Sequence, residues 1–99
     1  SMPCLASRIP YGIPVTREIL RQIERAEEGL RELGFGTLRV RHHGDVARVE
    51  VPVSDFPRVM SARRDVIERV KAAGYTYVAL DLEGFRSGSL NEPLKGVAR

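Results

Sequence analysis

The chain has no tryptophan and a single cysteine, Cys4. One cysteine excludes an internal disulfide and suits a reducing compartment, the cytoplasm. No apolar run approaches the length of a membrane span, and no secretory signal peptide is present, so no membrane partner is expected. Aromatic residues make up only 6% of the sequence, few for a base-stacking surface, which argues against RNA. The net charge of +3 is too small to argue for nucleic acid by itself. Lysine is scarce, two residues against fourteen arginines; a GC-rich genome would give the same bias. No segment has the spacing and following helix of a P-loop.

What is present suits one small soluble domain. Ninety-nine residues with 42% apolar and 29% charged content can bury a modest core without staples. Ser1-Met2 reads as a tag remnant before a start codon, so the chain is expected to be an excised piece of a longer one.

The most informative stretch is Leu38–Val51, two alternating runs of β-branched residues around Gly44-Asp45. Glycine accepts the positive φ at the first position of a type II′ turn, so a hairpin is expected there. That turn pairs His43 with Val46, His42 with Ala47, Arg41 with Arg48, Val40 with Val49, Arg39 with Glu50 and Leu38 with Val51. Side chains alternate faces with period two. Leu38, Val40, Ala47, Val49 and Val51 then share one face with His42. Arg39, Arg41, Arg48 and Glu50 share the other with His43. On that polar face an Arg39–Glu50 ion pair is expected. Arg41 opposite Arg48 makes a like-charge pair, a fork suited to phosphate or carboxylate. A solvated basic face has the same pattern.

Residues 1–15 hold Pro3, Pro10 and Pro14 and no periodicity; they are expected to form a connector carrying Cys4. Lone cysteines are mostly inert small hydrophobes, but a cation such as Arg8 close to the sulfur would favour the thiolate. A helix is expected from about Thr16 to Leu33, capped by Thr16, with Glu18 in its first turn. Ile19, Leu20, Ile23, Ala26, Leu30 and Leu33 form its apolar stripe. Glu24, Glu27 and Glu28 fall outside or at the edge of that stripe and are expected in solvent. Gly34 as stop places Phe35 against Leu30 in a Schellman cap, and Gly74 repeats the signal with Tyr75 and Val70.

Between them, Ser54 is expected to cap a second helix with Pro57 in its first turn. Its apolar side is Phe56, Val59, Met60, Val66, Ile67 and Val70, with a break near Ser61, which could cap a new start. A third strand is expected over about Thr76 to Leu82, with Val78, Leu80 and Leu82 on one face. The order αββαβ implies an α+β domain over 16–92. Its hairpin and a crossover strand form a three-stranded mixed sheet, with helices on one face and the arginine face open. The Gly84–Glu92 loop could wrap an anion with backbone N–H groups, and residues 93–99 are expected to fray. His42 and His43 point to opposite faces and cannot hold one metal jointly. His42 is expected in the core and His43 on the arginine face.

Three blocks carry a resemblance: Pro3-Cys4-Leu5-Ala6-Ser7-Arg8-Ile9-Pro10-Tyr11-Gly12, Arg39-Val40-Arg41-His42-His43-Gly44-Asp45, and Asp81 through Glu92. In this order they resemble the C-terminal part of the ATP-dependent sacrificial sulfur transferases, the LarE family of the PP-loop superfamily. The family's Ser-Gly-Gly-x-Asp-Ser nucleotide motif and its PP-loop domain are absent from these residues. The resemblance implies sulfur insertion during synthesis of the nickel-pincer cofactor of lactate racemase. ATP adenylates a carboxylate of a pyridinium mononucleotide, and a cysteine then supplies sulfur, leaving a thiocarboxylate. It further implies Cys4 as sulfur donor and Ser7, Arg8, Arg39 and Arg41 as substrate-binding; Glu50, opposite Arg39 in the register, is expected to orient that guanidinium. Glu27 and Glu50 would lie near a divalent metal. ATP and Mg would be bound mainly by the absent PP-loop domain, and this chain alone should be inactive. A non-catalytic module is the alternative, binding anions or contacting protein or RNA through its arginine face, or oligomerising through an exposed strand edge.

Overall fold

The computed structural model describes residues 8–86. Cys4, Ser7, the loop beyond Arg86 and the expected frayed tail lie outside the described residues. Helix α1 spans Arg17–Glu32, and Thr16 Oγ1 accepts the Ile19 N–H at 3.1 Å, as a capping threonine should. At its other end Phe35 N–H donates to Leu30 O at 3.3 Å and Gly34 N–H to Arg31 O at 2.9 Å. These are the two bonds of the expected Schellman cap.

Strands β1 (Arg39–His43) and β2 (Val46–Glu50) pair antiparallel with the expected register from Arg39↔Glu50 to His43↔Val46. Gly44 has φ +63° while Asp45 stays at negative φ, which is the type II′ pattern. Leu38, Val40, His42, Ala47, Val49 and Val51 are all buried, so the apolar face is the one the alternation assigned.

A 3₁₀ turn over Val53–Asp55 follows, then helices α2 (Phe56–Ser61) and α3 (Arg63–Ala72). The expected break falls at Ala62. The capping expectations are corrected. Ser54 lies inside the 3₁₀ turn, and Ser61 donates backward to Arg58 O at 3.1 Å instead of capping α3. Pro57 sits in the first turn of α2, where no N–H is needed. Met60, expected on the apolar side, is exposed. Strand β3 is shorter than expected, Tyr77–Leu80, and pairs parallel with β2. Leu82 is 78% exposed because the chain turns after Leu80 instead of continuing the strand.

The result is an α+β domain with a mixed sheet in the order β1-β2-β3. Helix α1 packs on β1 and α3 on β3, and the two helices pack on each other. The core joins Ala26 and Leu30 of α1 to Val40, Ala47 and Val49 of the sheet and to Val66 and Val70 of α3. The opposite sheet face is left to charged side chains.

One turn shapes that face. Glu83 N–H donates to Asp81 Oδ1 at 3.0 Å, Gly84 N–H to Asp81 O at 3.0 Å and Phe85 N–H to Val51 O at 2.8 Å. Gly84 has φ +85°, and a Cβ there would meet Val53 Cγ2 at 2.9 Å. The return of the chain onto Val51 therefore requires glycine.

Candidate functional site

Two ionic clusters flank β1. The first seals its outer edge. In this register the N–H groups of Val40 and His42 point away from β2. Val40 N–H donates to Glu27 Oε2 at 2.9 Å, and His42 N–H donates to Arg8 O at 2.7 Å. Arg8 Nε lies 2.9 Å from Glu27 Oε2, and Arg31 Nη2 donates to Glu27 Oε1 at 3.4 Å. Glu27 is only 3% exposed. The expectation that it lies in solvent is corrected: its helical position faces the edge of β1, where a carboxylate closes both a backbone donor and a guanidinium. Arg8 is thereby clasped to the sheet edge through its carbonyl and its side chain together.

His42 extends the same cluster inward. Its Nδ1 lies 2.9 Å from Tyr75 Oη, a buried hydrogen bond whose direction follows the imidazole tautomer. Burial lowers the His42 pKa from its ordinary 6.5. Burial and the Glu27 carboxylate raise that of Tyr75. Below pH 6.5 the unfolded chain takes up a proton that folded His42 refuses, so the unfolded state binds more protons. Stability is fully present above pH 6.5, falls as the pH drops toward the lowered folded value, and levels out below it. Urea midpoints measured between pH 7.5 and 5 should show this loss, and His42→Gln should reduce it. An unchanged pH slope in that variant would remove His42 as its source. His43 is lowered too, first by partial desolvation of its ring, then by Arg48, His42 and Arg41, so part of the slope remains.

The second cluster occupies the charged sheet face. Arg41 donates through Nε to Glu50 Oε2 at 3.1 Å and through Nη2 to Glu50 Oε1 at 3.3 Å. Glu50 has 0% exposure and Arg41 is buried with it. Arg48 Nη2 lies 3.7 Å from Glu50 Oε2, and Arg48 Nε lies 3.6 Å from Asp81 Oδ2. Arg86 bridges Asp81 at 4.0 Å and Glu83 at 2.9 Å. The Arg41/Arg48 repulsion is thus relieved by one carboxylate placed diagonally between them.

The expected Arg39–Glu50 pair does not form. Glu50 pairs with its diagonal neighbour, since strand twist brings i and j±2 positions within reach of long side chains. Arg39 instead lies over the Phe85 ring, with Cζ 5.4 Å from the centroid. Its Nε is buried without a hydrogen-bond partner. Among the described residues it has no carboxylate partner. Nor is the arginine face as open as expected, because the Asp81–Arg86 turn supplies carboxylates and a ring to it. The alternation assigned the guanidiniums to this face; the contributions of Asp81 and Phe85 were missed. Their local signal was the Asp81-x-x-Gly84 turn signature, which returns Phe85 to the sheet.

A divalent metal does not fit Glu27 and Glu50. Each carboxylate already has both oxygens engaged by guanidiniums or a backbone amide. Among the described residues no group of three or more His, Cys, Asp or Glu gathers as a metal site would. No helix among them is long and apolar enough to cross a membrane.

Fold and site together define a small α+β domain with a guanidinium-rich sheet face and its amino-terminal segment clasped beside it. Such a chain is similar to LarE of Lactiplantibacillus plantarum, the pyridinium-3,5-bisthiocarboxylic acid mononucleotide synthase. The two are 42% identical over 90 residues, 91% of this chain and 33% of that protein. The resemblance carried by the three blocks thus extends over nearly the whole chain. An uncharacterised protein of Synechocystis is 40% identical over 96 residues, 95% of this chain and 36% of its own length. One from Methanocaldococcus jannaschii is 31% identical over 84 residues, 85% of this chain and 33% of its own length. The chain therefore spans about a third of the length of these curated relatives. No family model matches it.

Proposed function

We propose that this chain is the substrate-binding and sulfur-donating part of a longer ATP-dependent sulfurtransferase. That enzyme would convert a carboxylate of a pyridinium mononucleotide to a thiocarboxylate in nickel-pincer cofactor synthesis. The observation that carries this reading is the 42% identity, over 91% of the chain, to a synthase whose name specifies such a bisthiocarboxylic product. The geometry supports it through Arg8, which the His42 N–H and Glu27 tie to the edge of β1. Cys4 precedes Arg8 by four positions, a span of at most about 14 Å of extended chain. The reading requires the thiol to reach the sheet that carries Arg39 and Arg41.

The chemistry follows in balanced steps. A PP-loop domain outside this chain would bind ATP with Mg and transfer AMP to the substrate carboxylate, releasing pyrophosphate. The Cys4 thiolate attacks the activated carbonyl and AMP departs, leaving a thioester. Loss of the Cys4 Cα proton and cleavage of its Cβ–S bond then release the thiocarboxylate and leave dehydroalanine. In this scheme Ser7 and Arg8 line the approach to the sulfur. The guanidinium face holds the mononucleotide phosphate, so that the carbonyl is presented to the thiolate. Association into homo-oligomers is compatible with this scheme and forms no part of it.

The test is intact-mass analysis of the full-length protein after turnover with ATP and the mononucleotide. A loss of about 34 Da, one H₂S, located at Cys4 is the expected result. An unchanged Cys4 after product has formed would end the donor role. It would leave the chain as a non-catalytic anion-binding or oligomerisation module.

A further inference from the structure

We infer that His43 is the general base of the elimination step, taking the Cα proton of Cys4 as its Cβ–S bond breaks. The inference rests on the proposed function for the substrate and for Cys4, and supplies the residue that this step lacks. Elimination needs a neutral base beside the thioester, on the face where the substrate is held. The carboxylates of the sheet face and of the Asp81–Arg86 turn are already committed to cations. Glu50 is closed on Arg41 and shared with Arg48; Asp81 lies against Arg48 and Arg86, and Glu83 against Arg86. His42 faces the core, where its Nδ1 meets Tyr75 Oη. His43 is the other imidazole of the chain. It ends β1 on the charged face, is exposed, and its ring makes no hydrogen bond or ion pair among the described residues.

The backbone brings this imidazole next to the anchor of the amino-terminal segment. His42 N–H donates to Arg8 O at 2.7 Å, and His43 is the next residue. Period two puts His43 on the same face as Arg39 and Arg41, directly after Arg41 in that row. The groups facing its ring are Arg41 on its own strand and Arg48 on β2, with His42 beside it and Tyr77 of β3 level with it across Val46. Partial desolvation lowers its pKa from the ordinary 6.5, helped by Arg48, His42 and Arg41, so the ring is neutral at pH 7. Asp45 in the adjoining turn has no cation partner among the described residues, but a carboxylate is intrinsically a much weaker base than an imidazole. In the step itself the Cα proton passes to the unprotonated ring nitrogen. The C–H electron pair becomes the Cα=Cβ bond of dehydroalanine, and the Cβ–S pair leaves on the thiocarboxylate sulfur. The imidazolium then returns its proton to solvent.

The test is a single turnover of the full-length protein with ATP, Mg and the pyridinium mononucleotide, quenched in acid and read by intact mass. It resolves the Cys4 thioester, heavier by the substrate acyl group, from the dehydroalanine chain, lighter by one H₂S. His43→Gln should form the thioester at the wild-type rate and convert it about a hundredfold more slowly, the low end of what a positioned general base contributes. Added imidazole should restore the second step in His43→Ala. In the wild type that step should slow as the pH falls below the ordinary imidazole value of 6.5, and this dependence should vanish in His43→Gln. Asp45→Asn should convert as the wild type does. Dehydroalanine formed by His43→Gln at the wild-type rate, or a stalled thioester in Asp45→Asn instead, would overturn the inference. So would loss of both steps in His43→Gln at an unchanged urea midpoint, because a base for elimination alone leaves thioester formation intact. If the wild type yields neither species, the donor role of Cys4 fails first and the inference falls with it.

Discussion

Glu27→Ala is expected to lower the free energy of unfolding by about 3–5 kcal/mol, the cost of breaking a buried ion pair from one side. Alanine leaves the Arg8 guanidinium facing an emptied site and the Val40 N–H without its acceptor at the edge of β1. Glu27→Gln retains an oxygen for Val40 and should cost only about 1–3 kcal/mol, the range for a compromised buried hydrogen bond. Urea unfolding followed by circular dichroism measures both. A loss within about 0.5 kcal/mol for alanine, as at an ordinary surface position, would refute the clasp. The same experiment separates a clasp from a metal site. Chelator or added divalent cation should leave the wild-type midpoint where it is, because the carboxylate is already spent on nitrogen donors.

Arg41→Ala should destabilise the domain by a similar amount, about 3–5 kcal/mol, by stranding the fully buried Glu50 carboxylate. The nearest remaining cation is Arg48 at 3.7 Å, itself drawn toward Asp81. Replacing both partners with leucine should cost less than either single truncation, since two well-packed apolar groups avoid an uncompensated buried charge. Arg39→Ala should stay within about 1 kcal/mol of wild type, because no buried carboxylate depends on it. Equal losses at Arg39 and Arg41 would contradict the division of labour on this face.

The two clusters differ in what they would do for the proposed reaction at Cys4. The Glu27 clasp sets where the amino-terminal segment meets the sheet. The Arg41–Glu50 pair keeps β1 and β2 stiff beneath Arg39. Neither group needs to touch substrate for its loss to disturb the proposed reaction, so stability should be measured beside activity in every variant of these positions.

The sequence by itself determined whatever depends on neighbours a few residues apart or on strict alternation. The Gly44-Asp45 turn fixes the pairing of Arg39 with Glu50 through His43 with Val46, and period two then assigns every side chain in the hairpin to a face. The Thr16 and Gly34 signals bound α1 for the same local reason. Only the tertiary structure decided which carboxylate meets which guanidinium. Several arginines stand within reach of Glu50, and strand twist favours the diagonal Arg41 over the directly opposed Arg39. Glu27, unlike Glu24 and Glu28, points between Leu20 and Ile23 at the edge of the α1 stripe, but the helix alone does not say what a carboxylate there would meet. It is buried because the docking of α1 brings the edge of β1, with its unpaired Val40 N–H, against that one position. Backbone patterns are short-ranged and repeat with a known period, whereas ion-pair partners are chosen by packing between segments distant in the chain.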